Sequence, residues 1–136
     1  DGMAREKDCR HFFGDTEKAI GFSQVVKAGN VLYVSGVLAV DENLQVVGEG
    51  DMTAQVAQVY ANLGRILSAN GASFQDVVKE TVFATDLAAL AGALAPRKAA
   101  VDADGAYVPA STMGQITGLF LPGAMIAVEM SARREG

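Results

Sequence analysis

The first regular pattern of hydrophobic positions runs from Phe22 to Val40. Two runs rich in β-branched and aromatic residues lie here, and Ala28-Gly29-Asn30 separates them. Runs of this composition on either side of a glycine-containing turn are typical of a β-hairpin. The pattern therefore predicts two antiparallel strands.

A helical period follows the hairpin. Asp51 can accept hydrogen bonds from the backbone of a first helical turn, and Asn70-Gly71 supplies a left-handed stop. Between them, apolar residues recur at i, i+4, i+7 and i+11, at Met52, Val56, Val59, Leu63, Ile66 and Leu67. This spacing predicts an amphipathic helix with one buried face.

The second half of the chain predicts one more helix and three strands. The strands cover 77–84, 111–117 and 124–131, and Asp86 caps a helix that Asp104-Gly105 ends. Pro96 interrupts this helix, and since an interior proline costs about 3 kcal/mol, the helix bends there or restarts with Pro96 in its first turn. The order β-β-α-β-α-β-β predicts an α+β chain with one mixed sheet packed on two helices. The other sheet face is expected to be rich in Val, Ile and Leu, which predicts packing against copies of the chain.

Composition narrows the classes of function. The 136 residues are 50% hydrophobic and 20% charged, so we expect a folded domain, and no apolar run reaches the roughly 20 residues of a membrane helix. With a net charge of -5 and scattered Lys and Arg, the chain has no basic stripe for nucleic acid. We expect neither nucleic acid nor a membrane as partner.

The beginning of the chain carries no apolar segment of the signal-peptide kind, which predicts a cytoplasmic protein. We interpret Asp1 and Gly2 as a cloning remnant, residues 1–19 as a leader, and 20–134 as one domain. Cys9 is the only cysteine, which excludes a disulfide within the chain and disfavours zinc. His11 and Cys9 fall in the leader, where we expect a packing role.

Ordered sequence blocks then resemble the YjgF/Rid family, also called L-PSP. The chain contains FSQVVKAGN (22–30), YVSG (33–36), DMTAQ (51–55), NL (62–63), GAS (71–73), DVVK (76–79), TVF (81–83), PAST (109–112) and VE (128–129). The resemblance implies a chorismate-mutase-like fold, a homotrimer with a small-molecule cleft between neighbouring subunits, and hydrolysis of reactive enamines or imines to a keto acid and ammonia. It implies no metal and no organic cofactor.

The resemblance also locates a ligand site in which several residues differ from the family pattern. The arginine that forks onto a substrate carboxylate is replaced by Ser111, followed by Thr112 and Met113, and Ser111 and Met113 should share one strand face. Since a charge-assisted hydrogen bond contributes about 1.5 to 3 kcal/mol, a carboxylate ligand should bind at least about tenfold more weakly. Three further positions differ from the family pattern: Phe22 replaces a tyrosine, Leu94 an asparagine, and Ala127 a glutamate that holds a water. Two positions match the pattern: Gly36, and Glu129 at a second acidic position.

Each of these residues has an alternative role. Ser111 and Thr112 either orient a ligand or satisfy local hydrogen bonds, and Gln115 is a further polar contact. Phe22, Leu94 and Met113 either make the cleft apolar or belong to the core. Glu129 either moves protons or pairs across a subunit boundary. Arg97 either replaces the missing charge or is a solvated surface residue, and the loop before Pro122, two residues longer, changes the cleft rim.

Two functions stay open at this point. The chain is either a diverged Rid-type hydrolase or deaminase, with Ser111 and Glu129 as its catalytic residues, or a trimeric binding module that has lost the chemistry. Ribonuclease activity, the source of the older family name, is opposed by the acidic charge balance and the lack of a basic groove.

Overall fold

The computed structural model describes residues 7–12, 14–102 and 108–134. Within them, a six-stranded sheet has the order β1-β2-β3-β6-β4-β5. The strands are β1 Asp8–Arg10, β2 Val25–Ala28, β3 Val31–Leu38, β4 Val77–Ala84, β5 Ala110–Gln115 and β6 Ile126–Arg133. The helices are α1 Asp15–Ile20, α2 Met52–Ala69, α3 Leu87–Ala91 and α4 Ala95–Val101, with a short 3-10 helix at Phe74–Asp76.

The sheet is mixed, which confirms the predicted α+β class. Strands β4 and β5 are parallel, and every other neighbouring pair is antiparallel. Strand β6 lies between β3 and β4, although it is the last strand in the chain. The central strands therefore come from both halves of the sequence, and the described residues form one sheet and one core.

Helix α2 forms as the pattern predicts. The Asp51 side chain accepts a hydrogen bond from the Ala54 backbone at 3.0 Å, and Gly71 follows the helix with a φ of 75°. Its six apolar positions named above are all buried in the core. Burial of this face against β3 and β6 fixes the helix across the middle of the sheet.

Replacing Asp51 with alanine tests this cap. The variant leaves the Ala54 N–H without its side-chain acceptor, and we expect a loss of about 1 kcal/mol in the free energy of unfolding. Urea denaturation of Asp51→Ala measures the loss, with Asp51→Asn as the control that keeps an acceptor. Equal stability of the alanine and asparagine variants would contradict the capping role.

The second predicted helix is divided at the proline. Helix α3 begins after Asp86, whose carboxylate accepts from the Ala89 backbone at 3.0 Å, and α4 has Pro96 in its first turn. Of the two outcomes left open at Pro96, a bend or a restart, the structure shows the restart. Asp104 and Gly105, predicted to end the helix, lie outside the described residues.

The segment assigned to a leader holds two elements that the pattern does not predict. Strand β1 pairs antiparallel with β2, and α1 follows it. A strand of three residues is too short to display an alternating pattern. Strands β5 and β6 are also shifted by one or two residues from their predicted bounds.

The two faces of the sheet differ in chemistry. One face packs on α2, α3 and α4 and carries the buried residues Leu32, Val34, Val82, Ile126, Val128 and Met130. We call the opposite side the open face. Along β6 it carries Ala127, Glu129, Ser131 and Arg133, so the expectation of a second face rich in Val, Ile and Leu is wrong. Strand alternation directs most of the large aliphatic residues to the core.

Candidate functional site

A buried carboxylate at Glu80 joins four elements of the fold. The Glu80 side chain on β4 is 0% exposed. It accepts hydrogen bonds from the Tyr60 hydroxyl on α2 at 2.6 Å, from Arg97 Nε on α4 at 2.6 Å, and from the Ser111 hydroxyl on β5 at 2.7 Å. Arg97 also forms an ion pair with Glu80 through a terminal guanidinium nitrogen. We call these four residues the Glu80 cluster.

Burial and the Glu80 carboxylate shift the pKa values of Tyr60 and Arg97 in the Glu80 cluster. Burial, followed by the adjacent Glu80 carboxylate, raises the pKa of the Tyr60 hydroxyl far above its usual value, so the phenol stays protonated and donates. Burial lowers the pKa of Arg97, but the hydrogen bond and charge of Glu80 outweigh this, and the net shift is upward. The Arg97 guanidinium therefore stays charged and forms an ion pair with Glu80.

This arrangement limits what Ser111 and Arg97 can do. A hydroxyl has one proton, and Ser111 donates it to Glu80, so toward a ligand its oxygen can only accept. Arg97 does come close to the position where the resemblance places an arginine, but its charge is balanced by Glu80. Arg97 is thus a part-buried ion-pair partner of Glu80 rather than a solvated surface residue.

The other predicted residues near β5 divide between the two faces. Met113 and Leu94 pack against the core on the helix side, where Ser111 also points, so the shared direction of Ser111 and Met113 is confirmed. The Gln115 side chain accepts from the Leu87 backbone at 3.0 Å, at the start of α3. Thr112 is in register with Thr81 of β4, which in turn is in register with Glu129 of β6.

Glu129 borders a polar cavity on the open face. The cavity has a volume of about 370 Å³ and includes Tyr33, Lys79, Thr81 and Ser131 in its lining. Glu129 is exposed there, with Thr81 beside it in the sheet. The cavity therefore offers both a carboxylate and an ammonium group to a small ligand.

A second cavity, largely apolar, lies at the β3 side of the open face. Its volume is about 420 Å³, and it contains two predicted ligand residues, Phe22 and Gly36, together with Ala127. The loop between β5 and β6 forms a wall of Leu119, Phe120 and Leu121, and the Phe120 ring is 78% exposed. The loop predicted to alter the cleft rim therefore lines this cavity, which we call the apolar cavity.

The predicted site residues do not form a single site within one chain. Phe22 and Gly36 line the apolar cavity beside β3, whereas Ser111, Thr112, Met113 and Gln115 belong to β5. Strands β6 and β4 lie between β3 and β5, which puts β3 and β5 about 14 Å apart. The two groups of predicted residues therefore lie at different places on the sheet of one chain.

Metal and membrane features are absent from the described parts of the chain. No group of three or more His, Cys, Asp or Glu residues in 7–12, 14–102 and 108–134 is arranged to hold a metal ion. Among the helices described there, none combines the length and apolar composition required to cross a membrane.

Sequence reasoning missed Tyr60, Glu80 and Glu17. The sequence pattern does indicate that Glu80 is buried, because it occupies a core-facing position in the alternating strand β4. A carboxylate at such a position needs a buried partner, and Arg97 and Tyr60 provide it. No sequence pattern indicates that Glu17 is buried, since α1 is only six residues long and too short to show a helical period.

Known proteins similar to this chain share both its sequence and its fold. The profile of the Endoribonuclease L-PSP family matches residues 15–134. A RutC family protein of Pyrococcus horikoshii is 39% identical over 77 residues, which are 56% of this chain and 61% of that protein. The 2-iminobutanoate/2-iminopropanoate deaminase of Mus musculus is 37% identical over 70 residues, 51% of this chain and 52% of that protein. These matches thus span about half to three fifths of the relatives' length.

A solved structure extends the similarity to most of the fold. The crystal structure of RidA from the Antarctic bacterium Psychrobacter sp. is 31% identical to this chain and superimposes with a TM-score of 0.75. The superposition covers 84% of this chain and 89% of that one. The sheet order and helix packing described above are therefore those of a known fold.

Proposed function

The chain belongs to the YjgF/Rid (L-PSP) family, and from this premise we propose that it hydrolyses a small imine or enamine. A deaminase among its relatives is named for 2-imino acids. The observation that carries the proposal is the apolar cavity, in which Phe22 and Gly36 come together. Its volume of about 420 Å³ is that of a small-molecule site.

The proposed reaction adds one water across the carbon–nitrogen double bond of an imine. An enamine first becomes an imine by moving a proton from its nitrogen to its carbon–carbon double bond. The water oxygen bonds to the imine carbon, a proton moves to nitrogen, and the carbon–nitrogen bond then breaks to leave a carbonyl compound and ammonia. No electrons are exchanged, so the reaction calls for no redox cofactor. The protein has to hold the planar imine, admit one water, and accept a proton from that water.

Glu129 is the proton acceptor in this proposal. It lies two residues from Ala127 on the same face of β6, about 7 Å along the strand. Ala127 lines the apolar cavity, and Glu129 lines the neighbouring polar cavity. Glu129 therefore lies next to the apolar cavity. A water held between the two positions would be within reach of both the carboxylate and a bound imine.

The same proposal includes a ring of three chains. The β5 edge carries one group of predicted site residues and the apolar cavity holds the other, about 14 Å away within a chain. Contact between the β5 edge of one chain and the cavity of the next would unite them. Such a contact joins two different surfaces, and head-to-tail contacts of this kind can close into rings.

Turnover is tested directly with imines generated in the assay. The purified protein is mixed with freshly formed imines that either carry or lack a carboxylate, and the disappearance of the imine and the release of ammonia are followed. We expect release above the uncatalysed rate for at least one imine, and sedimentation of a trimer. Background rates across both sets, or a particle of 14.1 kDa, would overturn the proposal.

Gly36→Ala tests the location of the site. A Cβ added at Gly36 would lie 3.8 Å from the Ala127 Cβ, an ordinary contact, so the variant should fold. The new methyl group occupies the cavity, and we expect kcat/KM to fall about tenfold. Gly118→Ala is the control, since nothing lies within 4 Å of its added Cβ. Equal kcat/KM for both variants would place the reaction elsewhere.

Binding without chemistry is a second candidate, favoured by the engaged Ser111 hydroxyl and by Ala127, which has no carboxylate. It predicts that small molecules raise the melting temperature of the protein while imines decay at the background rate. Screening of small acids, ketones and aromatic compounds by thermal unfolding separates this function from the hydrolase.

A further inference from the structure

The side chain of Glu17 on α1 lies in the lining of the apolar cavity. It is 3% exposed, and its contacts include a hydrogen bond from the Gln24 backbone at 3.2 Å and His11 Nδ1 at 3.5 Å from the same oxygen. The remaining lining is mainly aliphatic and aromatic: Ile20, Phe22, Leu38, Leu44, Leu119 and Phe120. A buried carboxylate in such surroundings has no role in the reaction described above.

We propose that Glu17 binds the cationic nitrogen of an apolar ligand, so that the substrate is a protonated imine without a carboxylate. The substrate part of this inference rests on the proposed hydrolysis, whereas cation binding at Glu17 does not. The nitrogen of a protonated imine carries positive charge and N–H donors. Glu17 offers the matching acceptor inside walls that fit an alkyl or aryl group.

Electrostatics select this ligand over the 2-imino acids. A negatively charged ligand in the cavity would lie near the Glu17 carboxylate, and like charges repel more strongly beside a buried group than in bulk water. Among the described residues that line the cavity, none is Lys or Arg. The described part of the lining thus offers a carboxylate and no guanidinium or ammonium group.

Arg97 and Ser111 in the Glu80 cluster are also unable to bind a carboxylate ligand, because both already donate to Glu80. Arg97 is held by Glu80, and the proton of the Ser111 hydroxyl is donated to the same carboxylate. A carboxylate ligand beside β5 would find a hydroxyl that cannot donate to it. Both groups of predicted site residues therefore disfavour an anionic substrate.

Three probes of one shape test the inference by binding. Benzylammonium, benzyl alcohol and benzoate share a ring and differ in charge, and their affinities are measured by calorimetry at one fixed pH. We expect benzylammonium to bind at least about tenfold more tightly than benzoate, with benzyl alcohol between them. Benzoate binding as tightly as benzylammonium, or no binding of benzylammonium, overturns the inference.

Glu17→Gln identifies the residue responsible. Glutamine keeps an acceptor for the Gln24 backbone, so the fold is expected to survive, and unchanged affinity for benzyl alcohol would verify an intact cavity. The affinity for benzylammonium is expected to fall at least about tenfold. Asp15→Asn, an exposed charge removal on the same helix, is the control and should leave all three affinities unchanged. Retained benzylammonium binding by Glu17→Gln overturns the assignment.

Turnover separates the two proposals. Faster hydrolysis of apolar imines than of 2-imino acids supports both proposals. Faster hydrolysis of 2-imino acids leaves the hydrolase standing and overturns the substrate inference. Benzylammonium binding that depends on Glu17, without hydrolysis of any imine, leaves the cation site standing and overturns the hydrolase.

Discussion

Arg97→Met is expected to lower the free energy of unfolding by about 3 to 5 kcal/mol, because it leaves the Glu80 carboxylate buried without its counter-ion. Glu80 is 0% exposed and the Arg97 side chain 17% exposed, so water can replace little of the lost interaction. Urea denaturation at one fixed protein concentration measures the loss.

Lys98→Met provides the matched control on the same helix. Lys98 is 75% exposed and pairs with Asp102, four residues further on, at 3.2 Å. An exposed pair of this kind contributes at most about 0.5 kcal/mol. In addition, the double variant Glu80→Gln with Arg97→Met should lose less than the sum of the single variants, since it removes both charges. A stability of Arg97→Met equal to that of Lys98→Met would refute the buried ion pair.

Gln55→Leu is expected to cost about 1 to 3 kcal/mol, because the Met125 N–H and the Gly123 carbonyl lose their side-chain partner in part-buried surroundings. Gln55 on α2 is fully buried. Its side-chain oxygen accepts from the Met125 backbone at 2.8 Å, and its nitrogen donates to the Gly123 carbonyl at 2.9 Å. Gln55 thus ties α2 to the end of the loop that walls the apolar cavity.

Two measurements check the prediction for Gln55→Leu. Urea denaturation gives the loss of stability, and hydrogen exchange of the Met125 amide should become faster than in the native chain. Thr53→Leu makes a comparable polar-to-apolar change at an exposed position of the same helix and should leave both readings nearly unchanged. Slow Met125 exchange in Gln55→Leu would show that the loop is held by other contacts.

The sequence predicted the elements whose information is local. Helix α2 has its period, its Asp51 cap and its Gly71 stop within about 20 residues, and each is found where expected. Pro96 likewise acts on its own helix. Strand β1 escaped prediction because its three residues form a strand only through pairing with β2.

The candidate site was less predictable, because its contacts depend on tertiary structure. The sequence placed Ser111 near a ligand, but its partner Glu80 lies 31 residues earlier, and no local pattern joins the two. From the sequence, Arg97 is either a replacement charge or a solvated residue, and the structure pairs it with the same carboxylate. Gly36 and Phe22 could be grouped by resemblance, yet Glu17 joins them only because α1 folds back onto the open face.

The Glu80 cluster also bears on the order in which the native state is assembled. Its members come from positions 60, 80, 97 and 111, so the cluster can close only after α2, α4 and both strands have docked. Interactions that form after the main folding barrier act chiefly on the rate of unfolding. If the cluster forms last, Arg97→Met should speed unfolding more than it slows folding, and stopped-flow kinetics in urea would measure both rates.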